Sequence, residues 1–350
     1  MATERLLSPS PAPHEADDHP NWSLRPTRMR EYIGQVDLVE KLSITIQAVR
    51  ARKEPMEHVL LHGPPGLGKT TLAHVIGAEM GTRVYTTSGP ALSRGTDLVS
   101  ALTRLETGDV LFIDEIHRLP ATVEEFIYPA MEDFRIDVPV DSGTHARTVQ
   151  IALKPFSLIG ATTRAGLVSS PLRSRFGIAH HLKFYSAEEL LVILRRSATM
   201  LGADVRDAQK AGGALATVAA RSRGTPRIAN RLLRRVRDFA QVKNSGRIDT
   251  NLVNEALTLE GVDALGLDEL DRTYIRIISS VYRGGPVGLE AVAATMNEDA
   301  GTLEDVLEPY LLQIGFLART RRGRMLTLAA TTHLGLPPPA AVSTEDGALF

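Results

Sequence analysis

Gly63-Pro64-Pro65-Gly66-Leu67-Gly68-Lys69-Thr70 is a complete G-x-x-x-x-G-K-[ST] phosphate loop. Its glycines let successive backbone N–H groups turn inward on phosphates. Lys69 brings a point charge to the β- and γ-phosphates, and the Thr70 hydroxyl offers a ligand to Mg²⁺. The flanks suit the loop. His58–His62 reads as a short apolar strand, and Thr71–Met80 as a helix ended by Gly81. Strand, loop and helix in register predict a bound nucleoside triphosphate with Mg²⁺. Asp114-Glu115 downstream adds hydrolysis.

From about residue 23 to 184 helices alternate with short buried strands, as in a parallel α/β sheet. The strands expected are 58–62, 83–86, 109–113 and 156–161, with ligands at their carboxyl ends. Residues 135–140 and 147–153 flank Asp141-Ser142-Gly143-Thr144-His145 and read as a β-hairpin, whose Pro139 suits an edge. From Ser186 to about Leu259 the pattern is helical, opening on a capping box, Ser186-Ala187-Glu188-Glu189. A smaller unit, 260–335, has helices followed by a hairpin around Arg322-Gly323, the form of a winged helix. Residues 1–22 and 336–350 read as flexible tails.

The chain has 350 residues, enough for two or three domains, and lacks cysteine, which excludes disulfides and thiolate metal sites. Neither a bilayer-spanning run nor the apolar core of a signal peptide is visible, so a cytoplasmic protein with no membrane partner is expected. A net charge of −1 decides nothing about nucleic acid. Most basic residues are arginine, clustered at 221–237 and 319–324; codon composition alone also produces such an excess.

Val110–Ile113 is a buried strand that delivers Asp114 and Glu115 at its end. The first would orient Mg²⁺ through water, and the second would polarise the attacking water. Alone, such a pair would more often cap a helix. Thr162-Thr163 ends the last predicted strand, where a hydroxyl can sense the γ-phosphate or simply close the strand. Thr162 is the catalytic candidate. Arg175, in Ser170-Pro171-Leu172-Arg173-Ser174-Arg175-Phe176, can act as an arginine finger on a neighbouring subunit's γ-phosphate. Gly224-Thr225-Pro226-Arg227 opens a basic helix over 227–237, and Arg227 would project toward phosphate. The arginines at 231, 234, 235 and 237 fit a solvated face.

In this order the motifs resemble an AAA+ ATPase. Longer stretches resemble the RuvB family, bacterial motors of Holliday-junction branch migration: Leu24-Arg25-Pro26, Tyr32-Ile33-Gly34-Gln35, 114–119, 160–166, 227–237, 284–289 and 304–310. The resemblance spans about 22–335. It implies an α/β AAA+ P-loop ATPase domain (23–185), an all-α lid (186–259) and a C-terminal winged-helix head (260–335). It further implies homohexamers around double-stranded DNA, ATP and Mg²⁺ as cofactors, and work with RuvA and the RuvC resolvase. Residue by residue, ATP would meet Leu24 and Arg25 near the adenine and Gly66, Lys69, Thr70 and Thr71 at the phosphates. Glu132, Asp133, Phe134, Tyr185 and Arg227 would complete the pocket, with Arg175 as the finger in trans. Hairpin 135–153 resembles the family's docking element for RuvA, so Ile136, Val138, Val149 and Ile151 would be an exposed patch rather than core. In the head, Arg319 and Arg324 match DNA contacts. Two departures stand out. Ala300 occupies a DNA-contact position where well-known members can carry a basic residue, and 203–214 is about five residues longer than usual.

Two rivals fit parts of the pattern. One is a clamp-loader-like AAA+ switch acting on DNA. The other is a DNA-binding regulator whose nucleotide is structural, which would predict no turnover.

Overall fold

The computed structural model describes residues 8–9, 24–139, 148–206 and 212–339, in two compact units divided after Tyr185. In the first, β1 (Ser8–Pro9), α1 (Val36–Arg52), β2 (Val59–His62), α2 (Lys69–Met80), β3 (Val84–Ser88), α3 (Gly95–Leu102), β4 (Val110–Asp114) and α4 (Ala121–Asp133) lead to a hairpin. The hairpin is β5 (Arg135–Pro139) and β6 (Thr148–Ala152); β7 (Ser157–Thr162), α5 (Ser170–Arg173) and β8 (Ile178–His181) follow.

The sheet runs β1-β3-β4-β7-β2-β8, parallel except for β1, which pairs antiparallel with β3. Strands β4 and β7 are buried along nearly their whole length, as parallel strands covered on both faces must be. Leu111, Ile113 and Leu158 share one core with Leu98 of α3 and Val123 and Ile127 of α4. The sequence reading lacks β8. Its Ile178-Ala179-His180-His181 is an edge strand with alternating burial, so no continuous apolar run announces it. Helix α2 begins two residues earlier than expected, at Lys69, and ends on Gly81 at φ 73°, the left-handed cap that glycine supplies most cheaply.

The hairpin forms in the expected place, but its apolar residues divide. In its register Ile136 faces Ile151 and Val138 faces Val149. Ile136 is fully buried in the main core, Val138 packs against that core, and only Val149 is half exposed. The expectation of a patch made by all four is therefore corrected. The reason is local. Phe134, at φ 50°, turns α4 directly into β5, and its ring meets Phe156 edge-on at 5.8 Å. That anchors the inward face of β5 to the domain core. The hairpin tip, 140–147, lies outside the described residues. So do the expected tails, apart from Ser8–Pro9 and 336–339.

The second unit begins with α6 (Ala187–Met200), β9 (Asp204–Val205), α7 (Ala214–Ala220), α8 (Pro226–Lys243), β10 (Arg247–Ile248) and α9 (Thr250–Leu259). The capping box forms: Glu189 N–H donates to Ser186 Oγ at 3.1 Å, and Ser186 N–H to Glu189 Oε2 at 2.8 Å. Helix α8 runs six residues past the expected end and buries Leu232, Leu233 and Val236. Besides the helices the described residues form one short parallel pair, β9 with β10. Of the longer 203–214 segment, 207–211 lie outside the described residues.

The head follows as α10 (Glu269–Ser280), α11 (Leu289–Met296), α12 (Ala300–Thr302), a π-helical turn (Leu303–Leu307), α13 (Glu308–Gln313), β11 (Leu317–Thr320), β12 (Gly323–Leu326) and α14 (Leu328–His333). Helices and hairpin enclose their own core around Tyr274, Ile278, Leu307 and Leu311. Buried Arg223, at φ 55°, ties the segment before α8 to the head. It is ion-paired with Asp271, lies 3.4 Å from Asp268, and stacks 5.0 Å over the Tyr310 ring. Burial pushes the Asp271 carboxyl up to about 7, against the pull of Arg223.

Candidate nucleotide site and head hairpin

Register brings the chemistry of the first unit together. His62 of β2 lies beside Thr162 of β7, and Ser88 of β3 beside Asp114 of β4. The phosphate loop, the acidic pair and the two threonines therefore leave neighbouring strands at the same edge, where open α/β sheets bind ligands. Gly63 and Gly68 hold φ 133° and 98°. A Cβ would meet Leu182 O at 2.7 Å at Gly63 and Tyr32 Oη at 2.9 Å at Gly68. Only glycine supplies both the conformation and the room. Lys69 Nζ donates to the carbonyls of Gly63 (2.8 Å) and Pro64 (2.9 Å), which folds the lysine over the loop. Thr70 and Thr71 follow in the first turn of α2.

Tyr185 Oη donates to Leu67 O at 3.2 Å and lies 3.3 Å from Tyr32 Oη. Two tyrosines thus brace the loop from behind, and burial raises the Tyr32 phenol well above its ordinary range. The segment starting at buried Leu24 runs along α2: Arg28 donates to Ala78 O at 3.2 Å and Met29 N–H to Glu79 at 2.9 Å. Arg25 is close enough to His74 of α2 to add, after burial, to the depression of its pKa to about 4.

Glu115 also holds a left-handed backbone, φ 48° and ψ 48°, a conformation that costs a non-glycine residue about 1–3 kcal/mol. Asp114 Oδ1 accepts its N–H at 3.0 Å. The Glu115 carboxylate then meets Thr163 Oγ1 at 3.2 Å and His117 Nδ1 at 3.2 Å. Thr162, in contrast, is fully buried. Its hydroxyl lies 2.8 Å from His117 Nδ1 and accepts the Arg164 N–H at 2.9 Å. Of the two adjacent threonines, Thr163 reaches the acidic pair directly and Thr162 only through His117. Their dipeptide was visible in the sequence; which hydroxyl faces the acid depends on how the strand ends. His117 had no signal beyond sitting two residues after Glu115.

Arg175 belongs to a second cluster. Its guanidinium lies 4.4 Å over the Tyr128 ring, 3.0 Å from Glu132 Oε1, and donates to Pro171 O at 2.6 Å. Tyr128 in turn donates to Glu124 at 2.7 Å, which also takes the Ser169 hydroxyl at 2.6 Å. Glu132 is thus placed with the finger candidate, Asp133 pairs with Arg135 at 3.2 Å, and Phe134 points into the core. Arg227, in the second unit, is exposed on the first turn of α8.

In the head, Arg319 and Arg324 face each other across the hairpin. Both are held by buried Glu308. Arg319 Nε donates at 2.9 Å and a terminal nitrogen at 2.5 Å; Arg324 Nε donates at 2.9 Å. Ala300 opens α12 and packs half-buried against the head core.

Models of the three domains of one family match in series. The P-loop domain of the Holliday junction DNA helicase RuvB matches residues 24–182, the RuvB AAA lid domain 185–263, and the RuvB C-terminal winged-helix domain 264–335. Among solved structures the chain is similar to the Thermotoga maritima RuvB Holliday junction branch migration motor. The identity is 50%, over 91% of this chain and 100% of that one, with a TM-score of 0.82. The chain belongs to the RuvB family. A lysine-to-arginine variant of the same Thermotoga RuvB is likewise 50% identical, over 90% of this chain and 99% of that one, with a TM-score of 0.83. As a RuvB-family protein the chain is a P-loop ATPase with the domain order ATPase, lid, winged helix. Among the described residues no helix is long and apolar enough to cross a membrane.

Proposed function

We propose that this chain is a cytoplasmic, ATP-driven double-stranded DNA translocase that moves Holliday junctions during recombination and repair. It works as a homohexamer docked on RuvA and hands junctions to RuvC. The observation that carries the reading is the convergence of Lys69, Asp114, Glu115 and Thr163 at one sheet edge, in a chain 50% identical to a branch migration motor.

The left-handed glycines and the Lys69 lid suit a triphosphate, with Gly66, Lys69, Thr70 and Thr71 at its phosphates. Leu24 and Arg25 would take the adenine end, with Tyr185 behind the loop. Thr70 and, through water, Asp114 would hold Mg²⁺, which supplies phosphate charge neutralisation when bound. Glu115 takes the proton of the attacking water, and Thr163 fixes the orientation of that carboxylate. Arg175, with Glu132 beside it, serves the neighbouring subunit's nucleotide, and Arg227 is a candidate phosphate contact. Arg319 and Arg324 grip phosphates rather than bases, since a motor must pass over any sequence. Hairpin 135–153 docks RuvA, with Val149 as its exposed apolar residue among those described.

Migration of a synthetic four-way junction, with and without RuvA, tests the proposal on wild type and Glu115→Gln. Wild type should migrate the junction with ATP, more efficiently with RuvA, and Glu115→Gln should not. Stimulation of hydrolysis by a sliding clamp instead of RuvA would replace this reading with a clamp-loader-like switch.

A further inference from the structure

Glu308 lies at the start of α13, directly after the π-helical turn Leu303–Leu307. Such turns inside helices are frequent at functional sites. The Glu308 side chain is fully buried, yet it carries a carboxylate. Three elements converge on it. Tyr274 of α10 donates its hydroxyl to Oε1 at 2.7 Å. Arg324 of β12 donates Nε to the same oxygen at 2.9 Å and a terminal nitrogen to Oε2 at 3.4 Å. Arg319 of β11 donates both Nε (2.9 Å) and a terminal nitrogen (2.5 Å) to Oε2. Burial alone would raise the Glu308 pKa, but the hydrogen bonds from Arg324, Tyr274 and Arg319 leave it below the ordinary value. Glu304, one helical turn earlier, stands 3.6 Å from Arg324 and 4.0 Å from Arg319.

A carboxylate removed from water and given this many donors is a rigid anchor. Each guanidinium carries five N–H donors in a planar fork. Glu308 takes two from each arginine, which fixes the plane of each fork and leaves the remaining donors to point away from it. We infer that Glu308 is the positioning residue of the DNA contact: it aligns the Arg319 and Arg324 forks as a preformed pair of phosphate ligands. This rests on the proposed DNA role of the two arginines. Glu308 puts a negative charge behind a face that binds a polyanion, so simple Coulomb reasoning says that neutralising it tightens binding. Positioning says the reverse, because two long side chains lose their common geometry.

The test is fluorescence anisotropy of labelled duplexes of several sequences, titrated with the full-length chain at a series of salt concentrations. The variants are Glu308→Gln, Tyr274→Phe, Arg319→Ala and Arg324→Ala. Each arginine variant should weaken binding and lower the salt slope by about 1, and Glu308→Gln should weaken it roughly tenfold and lower the slope by up to about 2. Tyr274→Phe removes one support of the carboxylate and keeps both arginines, so it should give a smaller loss of the same kind. It decides the matter if Glu308→Gln loses the head's thermal transition. Unchanged or tighter binding by Glu308→Gln, or by Tyr274→Phe in that case, with both arginine variants weakened, overturns the positioning role alone. Unchanged binding by the arginine variants overturns it together with the DNA-contact reading.

Discussion

Replacing Ile136 by alanine deletes three carbons from a fully buried side chain whose neighbours belong to the main core of the ATPase domain. At about 0.8 kcal/mol per buried methylene the transfer loss alone is ~2.4 kcal/mol. A residual cavity raises it, and buried Ile→Ala changes fall at about 2–5 kcal/mol. For a domain of this size, 1 kcal/mol moves Tm by roughly 2–4 °C, so a 3 kcal/mol loss lowers the first unit's transition by about 6–12 °C. Val149→Ala, on the opposite strand, trims a side chain that is 50% exposed and should cost no more than about 0.5 kcal/mol. Differential scanning calorimetry of the full chain measures both, and titration with RuvA supplies the functional contrast. Val149→Ala should weaken docking with the fold intact, whereas Ile136→Ala should act through stability. Equal Tm losses in the two variants, or an Ile136→Ala transition within about 2 °C of wild type, would refute the division of the hairpin into core and docking faces.

Glu115→Gln should retain nucleotide binding while hydrolysis falls by about 10²–10⁴; Thr163→Val should share the defect more than Thr162→Val, measured as steady-state phosphate release. Acid should destabilise the first unit through His74, whose pKa is lowered to about 4 by burial and by Arg25. The unfolded histidine titrates near 6.5, so neutral His74 contributes its full stability above that pH. The contribution is lost as pH falls from about 6.5 to about 4, at up to ~1.4 kcal/mol per unit. Buried His58 has the same sign. In His74→Gln the fall of Tm over that window should be shallower, and an unchanged slope would contradict the assignment.

What the sequence made legible was whatever is written in contiguous residues. The phosphate loop, the Asp114-Glu115 strand end, the Ser186 capping box and the hairpin all carry their cause within a few positions. Elements whose cause lies elsewhere in the chain were not legible. Strand β8 is an edge strand completed by β2, and its two histidines look nothing like a buried run. The roles of Thr162 and Thr163 part only because His117 and Glu115 approach from another strand. The family resemblance puts Ile136 on an exposed patch, whereas its burial follows from the Phe134 turn. Glu308 carries no local signal, since its partners lie 34, 11 and 16 residues away.

In the proposed function each catalytic site is shared by two subunits, Lys69 and Glu115 from one and Arg175 from the next. Mixing Lys69→Ala with Arg175→Ala tests it most directly. Each variant alone should hydrolyse ATP at least ~10³-fold more slowly than wild type. Mixed assemblies contain interfaces with an intact lysine facing an intact arginine, so DNA-stimulated ATPase activity should reappear on mixing. If Arg175→Ala alone keeps wild-type turnover, Arg175 serves no catalytic site in trans. If the mixture stays as inactive as its parts while mixed hexamers are shown to form, the shared site is contradicted.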